Sequence, residues 1–179
     1  MEAREYDRAY EVYKILDAKA DAGGREIFSF AERSLREKGY MAAAKAYEDI
    51  ITRFPKFEML AQVKFGYAKT LEESTAERDT SNRWSEMKTT PMTTLPETES
   101  APMYTGAIAA YNQVITEFPR TEFAARSLYQ IAILKQERFF DLDGAGNALE
   151  SLTKNYPAST ILLDAKVRLG DVYVATGNL

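Results

Sequence analysis

The stretch Tyr40-Met41-Ala42-Ala43-Ala44-Lys45-Ala46-Tyr47-Glu48-Asp49-Ile50-Ile51-Thr52-Arg53-Phe54-Pro55 sets Tyr40, Ala43, Tyr47 and Ile50 at spacings of 3, 4 and 3. In an α-helix those spacings put all four side chains on one face. Proline disfavours the helical region for the residue before it, so Pro55 requires the helix to stop at Phe54.

The same pattern recurs three times. Tyr6, Ala9, Tyr13 and Leu16 form one copy, Tyr104, Ala107, Tyr111 and Val114 another, and Leu142, Ala145, Leu149 and Leu152 a copy poorer in aromatics. In the last three of the four copies a proline follows five residues on, at Pro55, Pro119 and Pro157, each behind an aromatic at Phe54, Phe118 and Tyr156. A second helical pattern precedes these segments: Phe30-Ala31, Tyr67-Ala68, Ile131-Ala132 and Leu169-Gly170 each join a large apolar residue to a small one. The small residue lets two helix backbones approach closely where a helix hairpin crosses. Ala31 lies 12 residues before Ala43, and Ala132 lies 13 before Ala145.

A small residue, an Ala twelve later, an aromatic four on, an aliphatic three on and a Pro five on resembles the tetratricopeptide repeat. Ala9 to Ala43 is 34 residues, the period of that family, and Leu169-Gly170-x-x-Tyr173 is similar to its first-helix signature. The chain departs from the family by lacking the first-helix Trp and by carrying Asp21 in place of the first Pro. The Phe/Tyr-Pro endings look like those of bacterial envelope variants, such as the barrel-assembly lipoprotein and the Tol-associated cell-division coordinator. The resemblance implies an all-α fold, a right-handed superhelical solenoid of antiparallel helix pairs with about eight helices.

Helices are expected near residues 2–20, 25–38, 40–54, 57–73, 104–118, 121–137, 142–156 and 159–176. They divide the chain into a half repeat 1–22, repeats 23–55, 56–119 and 120–157, and a half repeat 158–179. Ala68 to Ala107 is 39 residues where about 12 are expected, so roughly 27 extra residues sit in the second full repeat. That excess, 74–103, is rich in Ser, Thr, Glu and Pro, a composition expected of a solvated loop. Trp84 and Met87 within it are three apart and share a helical turn if 76–88 is helical, which makes them candidate contacts with the array or a partner. The opening and closing helices lack partners, so the chain reads as a fragment of a longer repeat protein or as one whose ends dimerise.

Composition narrows the function. A net charge of −4 with mixed signs offers no basic stripe for a phosphate backbone, so no nucleic-acid partner is expected. No apolar run approaches the roughly 18 residues a bilayer crossing needs, so no membrane insertion is expected. The N-terminal Met-Glu-Ala-Arg-Glu-Tyr is no signal peptide, and cytoplasm and periplasm are both compatible. With no Cys and no His, thiolate nucleophiles, imidazole bases and the usual zinc ligands are absent. Asp141-Leu142-Asp143-Gly144 begins like a calcium loop but lacks the later ligands, and a helix N-cap explains it better. No catalytic residue, metal or cofactor is expected.

In the resembled family, first helices line a concave groove that holds a peptide. Counting from the small residues, the implied groove positions are Phe28, Phe65, Tyr129 and Val167 along a central row. Arg25, Gln62, Arg126 and Asp164 flank it on one side, and Glu32, Lys69, Ile133 and Asp171 on the other. An aromatic floor rimmed by Arg25, Gln62, Lys69 and Arg126 suits an amphipathic helix or strand with apolar anchors. Helically spaced aromatics are as often core, and Phe28, Phe65 and Tyr129 fit that role equally. The expected function is a protein-interaction scaffold. A structural unit that stacks or oligomerises through its end helices, and a regulatory part of a larger protein, are the alternatives.

Overall fold

In a computed structural model, which describes residues 3–20, 23–89 and 101–177, each Phe/Tyr-Pro pair ends a helix where the sequence requires. The helices are α1 (Ala3–Ala20), α2 (Arg25–Arg36), α3 (Tyr40–Arg53), α4 (Leu60–Thr89), α5 (Thr105–Glu117), α6 (Glu122–Glu137), α7 (Leu142–Asn155) and α8 (Leu162–Thr176). A 3-10 turn, Ala101–Tyr104, leads into α5. There is no strand among the described residues. Phe54, Phe118 and Tyr156 close α3, α5 and α7 with nearly the same backbone, φ −123°, −128° and −128°. Each is the non-helical residue that a following proline demands.

The fourth helix corrects the expectation. It does not stop at 73 but runs 30 residues, through Thr89. Residues 74–89 contain neither Pro nor Gly, so no stop signal interrupts the helical hydrogen bonds before Pro91. Part of the extension is packed: Thr75 and Asp79 are buried, and Glu73 and Glu77 lie close enough to Tyr40 at the start of α3 to act on its hydroxyl.

The chain divides into two compact units, Met1–Trp84 and Ser85–Leu179. In the first, Ala31 of α2 and Ala43 of α3 are wholly buried, as a close hairpin crossing requires. The core around them is aromatic. Phe30 takes the rings of Tyr10 and Tyr13 at 5.6 and 5.2 Å, and Phe28 lies between Tyr47 and Phe57 at 6.4 and 5.9 Å. The N-terminus of α2 begins at Gly24, φ 103°, whose lack of a side chain leaves the helix without its own cap. Asp17 of α1, itself buried, supplies one by accepting from the N–H of Gly24 at 2.9 Å and of Glu26 at 3.2 Å.

In the second unit the crossing pair is Ala132 of α6 and Ala145 of α7, both wholly buried. Around this pair the buried side chains are aliphatic, Ile131, Leu134, Leu149 and Leu152, while the fully buried rings of this unit are Tyr104 and Tyr111, before and within α5. Asp141 is the N-cap of α7, accepting from Gly144 N–H at 2.8 Å and from Lys135 Nζ at 2.8 Å. The Asp141-Leu142-Asp143-Gly144 run is therefore a helix cap. Glu122 of α6 holds the approach to α8, accepting from Ser159 Oγ at 3.0 Å and Thr160 N–H at 3.1 Å.

Candidate functional site

The residues expected to floor and rim a groove fall into both units. In the first, Arg25 starts α2 and reaches Glu58 in the turn before α4, 2.6 Å away, with both side chains largely in water. Such a pair contributes about 0–1 kcal/mol and leaves the guanidinium accessible. Phe28 is a correction: it is only 8% exposed and belongs to the aromatic core between Tyr47 and Phe57, so it offers no floor to a ligand. The cause is local, because Phe57 in the α3–α4 turn covers it.

Gln62 and Phe65 on α4 are half-buried. Lys69, one turn further on, is paired with Glu73 at 3.5 Å. Glu32, the expected flank on α2, is committed to the hydroxyl of Tyr47, which donates to it at 2.7 Å. Of the expected positions in the first unit, Phe65 is a half-buried ring, and Arg25 and Lys69 each already have a carboxylate neighbour.

In the second unit Arg126 and Tyr129 lie on α6. Arg126 is exposed, 3.8 Å from Glu122. Tyr129 is half-buried with the guanidinium of Arg168 5.8 Å from its ring centroid, a cation–π distance. Burial, opposed and outweighed by hydrogen bonds from Thr160 and Ser159 and by the Arg126 charge, leaves the Glu122 carboxyl below its ordinary value. On α8, Val167 is 61% exposed, and Asp164 and Asp171 are exposed. Trp84 and Met87 lie on the backbone of α4, and their side chains fall outside the described residues.

One concavity escaped the sequence pattern. A cleft of about 340 Å³ opens in the second unit between Ile108, Ala109 and Asn112 of α5 and Lys135, Phe139 and Asp141 at the α6–α7 turn. Phe140 beside it is 67% exposed and held at φ 52°. The signal was the doublet Phe139-Phe140 ahead of the Asp141 cap, two large apolar residues in a turn that one helix hairpin does not need.

Residues 126–159 match the family model of the tetratricopeptide repeat. The window takes in most of α6 and all of α7, the hairpin that crosses at Ala132 and Ala145. No curated protein matches the chain in sequence.

Proposed function

We propose that the chain is a scaffold whose first-type helices hold segments of another protein, with Phe65 as the apolar anchor of the first unit and Tyr129, separately, that of the second. The observation that carries this is their recurrence. Both stand three residues before the small crossing residue of their helix, both are half-buried, and both have cations nearby in sequence, Lys69 for Phe65 and Arg126 for Tyr129. A ring that is partly covered and flanked by Arg or Lys is the kind of feature on which binding energy concentrates. The partner that fits either unit is an amphipathic helix or extended strand with an apolar side chain for the ring and carboxylates for the cations, Arg25 and Lys69 in the first unit or Arg126 in the second.

Tetratricopeptide repeats generally mediate protein–protein contacts, and the match over residues 126–159 supports the same class of role here. Micromolar affinity, about −8 kcal/mol, is the expected scale. The Phe/Tyr-Pro endings are the features that support the narrower likeness to bacterial envelope repeats.

The test compares capture from source-cell lysate by the native chain and by a Phe65→Ala/Tyr129→Ala variant whose helicity is verified by circular dichroism. A protein held by the native chain, released by the folded variant, and bound again in purified form with the same loss supports the anchors. Equal capture by both chains rejects them.

A further inference from the structure

We propose that the chain associates head to tail, with α8 of one copy packing on α1 of the next to complete a helix hairpin that neither helix forms within its own unit. The starting point is a comparison of equivalent repeat positions. In the second-type helices α3, α5 and α7 the residue three after the crossing alanine is buried: Ala46, Ala110 and Ala148. The residue seven after it is buried too: Ile50, Val114 and Leu152. In α1 the same two positions are Val12 and Leu16, 54% and 45% exposed, with Ile15 beside them at 53%.

The first-type helices show the mirror of this. The crossing residues Ala31, Ala68 and Ala132 are wholly buried, while Gly170 of α8 is exposed and a Cβ built on it meets nothing within 4 Å. Seven residues before the crossing, Ala125 of α6 is buried, whereas Leu163 of α8 is 73% exposed. With Val167 and Val174, at 61% and 68%, Leu163 forms a continuous apolar stripe along α8. Its opposite face, through Ala165 and Val172, is already buried. Among the described residues, no first-type helix covers this face of α1 and no second-type helix covers that of α8.

A second copy fits because the two faces match residue by residue. An antiparallel hairpin centred on the small pair, as α2–α3 is on Ala31 and Ala43, sets Gly170 against Ala9. The same register brings Val167 to Val12 and Leu163 to Leu16, apolar on apolar. It also brings Asp171 to Arg8, both exposed, so opposite charges meet at the rim. A heterologous contact of this kind joins unlike faces and does not stop at two copies on its own account. Neither Phe65 nor Tyr129 is used, so this association and the scaffold role stand or fall separately.

Four exposed positions give the test, since substitution there removes no core. One chain carries Val12→Asp and Leu16→Asp, the other Leu163→Asp and Val167→Asp. Both are checked for native helicity and followed by sedimentation from micromolar to millimolar concentration. The native chain is expected to gain mass with concentration. Each variant alone is expected to stay monomeric, and an equimolar mixture is expected to form a one-to-one dimer and nothing larger, because each supplies the one face the other retains. Arg8→Asp and Asp171→Arg are each expected to weaken association, and both together in one chain to restore it. A native chain monomeric throughout overturns the proposal. So does association that survives in either blocked variant alone, which would mean a like-with-like contact, or a charge reversal with no effect.

Discussion

The α2–α3 and α6–α7 hairpins use the same backbone plan and fill it with different chemistry. Both cross at a pair of wholly buried small residues. At the position four after the crossing alanine the first has Tyr47 and the second Leu149, each without exposed surface. A buried tyrosine needs room for a ring and a partner for its hydroxyl. The first unit provides both: Glu32 accepts the hydroxyl, and Gly66 of α4 lies so close that a Cβ there would stand 2.6 Å from Cζ of Tyr47. In the second unit the corresponding residue of the next first-type helix is Arg168, half-buried and bound to Gln136 at 2.8 Å. The ring of Tyr47 thus occupies volume that α4 leaves open at Gly66, and in the first unit the space is shared between the two positions.

The largest expected effect tests that sharing. Tyr47→Ala is expected to cost about 3–5 kcal/mol, because it empties a closed site and leaves Glu32 without its donor. Tyr47→Leu, which copies the second hairpin, is expected to cost less. Gly66→Ala is expected to destabilise the native chain by about 1–3 kcal/mol through overpacking against the ring. In the Tyr47→Leu background it is expected to stabilise by up to about 1 kcal/mol, the ordinary helical preference of Ala over Gly. Chemical denaturation of the four chains checks this. If Gly66→Ala has the same sign in both backgrounds, the ring and the glycine are not coupled and the comparison fails.

The hairpin pattern was legible because it is local. Spacings of 3 and 4 and an aromatic-Pro stop act within a turn or two, and α3, α5 and α7 end as those residues require. What the pattern missed depends on partners far away in sequence. α4 overran its expected end because a Ser-, Thr- and Glu-rich composition suggests a loop, while only Pro or Gly compels one, and 74–89 has neither. Phe28, Phe65 and Tyr129 occupy one repeat position and looked alike. Phe28 went into the core because Phe57 from the next turn lies over it, which no count from Ala31 reveals. The Asp17 cap on α2 was equally hidden, since an aspartate in the last turn of α1 reads as a solvated charge until Gly24 is brought to it.

Tyrosines are raised in both units, Tyr156 by burial and Tyr173 by its hydrogen bond to Glu150 in the second, but the larger rises belong to the first. Burial pushes Tyr10 and Tyr47 of the first well above the ordinary tyrosine value, with Asp49 and Glu32 adding to the effect. A raised value means the folded state holds its proton more tightly. That stability is complete below the unfolded value of about 10 and is lost as pH rises above it. In the second unit the Lys135 hydrogen bond, with the Gly144 N–H, holds Asp141 below its ordinary value, and Glu122 is lowered as well. For these carboxylates the contribution is complete above the unfolded value of about 4 and is lost as pH falls through the lowered folded one. Amide exchange followed peptide by peptide should therefore show the first unit loosening first in alkali and the second first in acid. Asp141→Asn and Glu122→Gln should flatten the acid limb in the second unit alone. The same order of loosening at both extremes would show that neither group governs its unit.

The smallest expected effect sits in the two hairpin turns. α2 ends with Lys38 at φ 61°, and the N–H of Gly39 returns to the carbonyl of Ser34 at 2.8 Å. After α6 the chain takes one residue more: Phe140 is at φ 52°, and the N–H of Asp141 returns to the carbonyl of Lys135 at 2.8 Å. That extra residue accounts for the 13-residue spacing of Ala132 and Ala145 against 12 for Ala31 and Ala43. Both turns hold an L-residue in the left-handed region, which costs about 1 kcal/mol, and glycine removes that cost while adding unfolded-state entropy. Lys38→Gly is accordingly expected to stabilise by about 0.5 kcal/mol, read from the midpoint of denaturation. Phe140→Gly should do the same if the exposed ring contributes nothing to the fold. A loss of about 1 kcal/mol instead would mean that the ring covers the apolar cleft between α5 and the α6–α7 turn, and the longer turn would then be what carries it there.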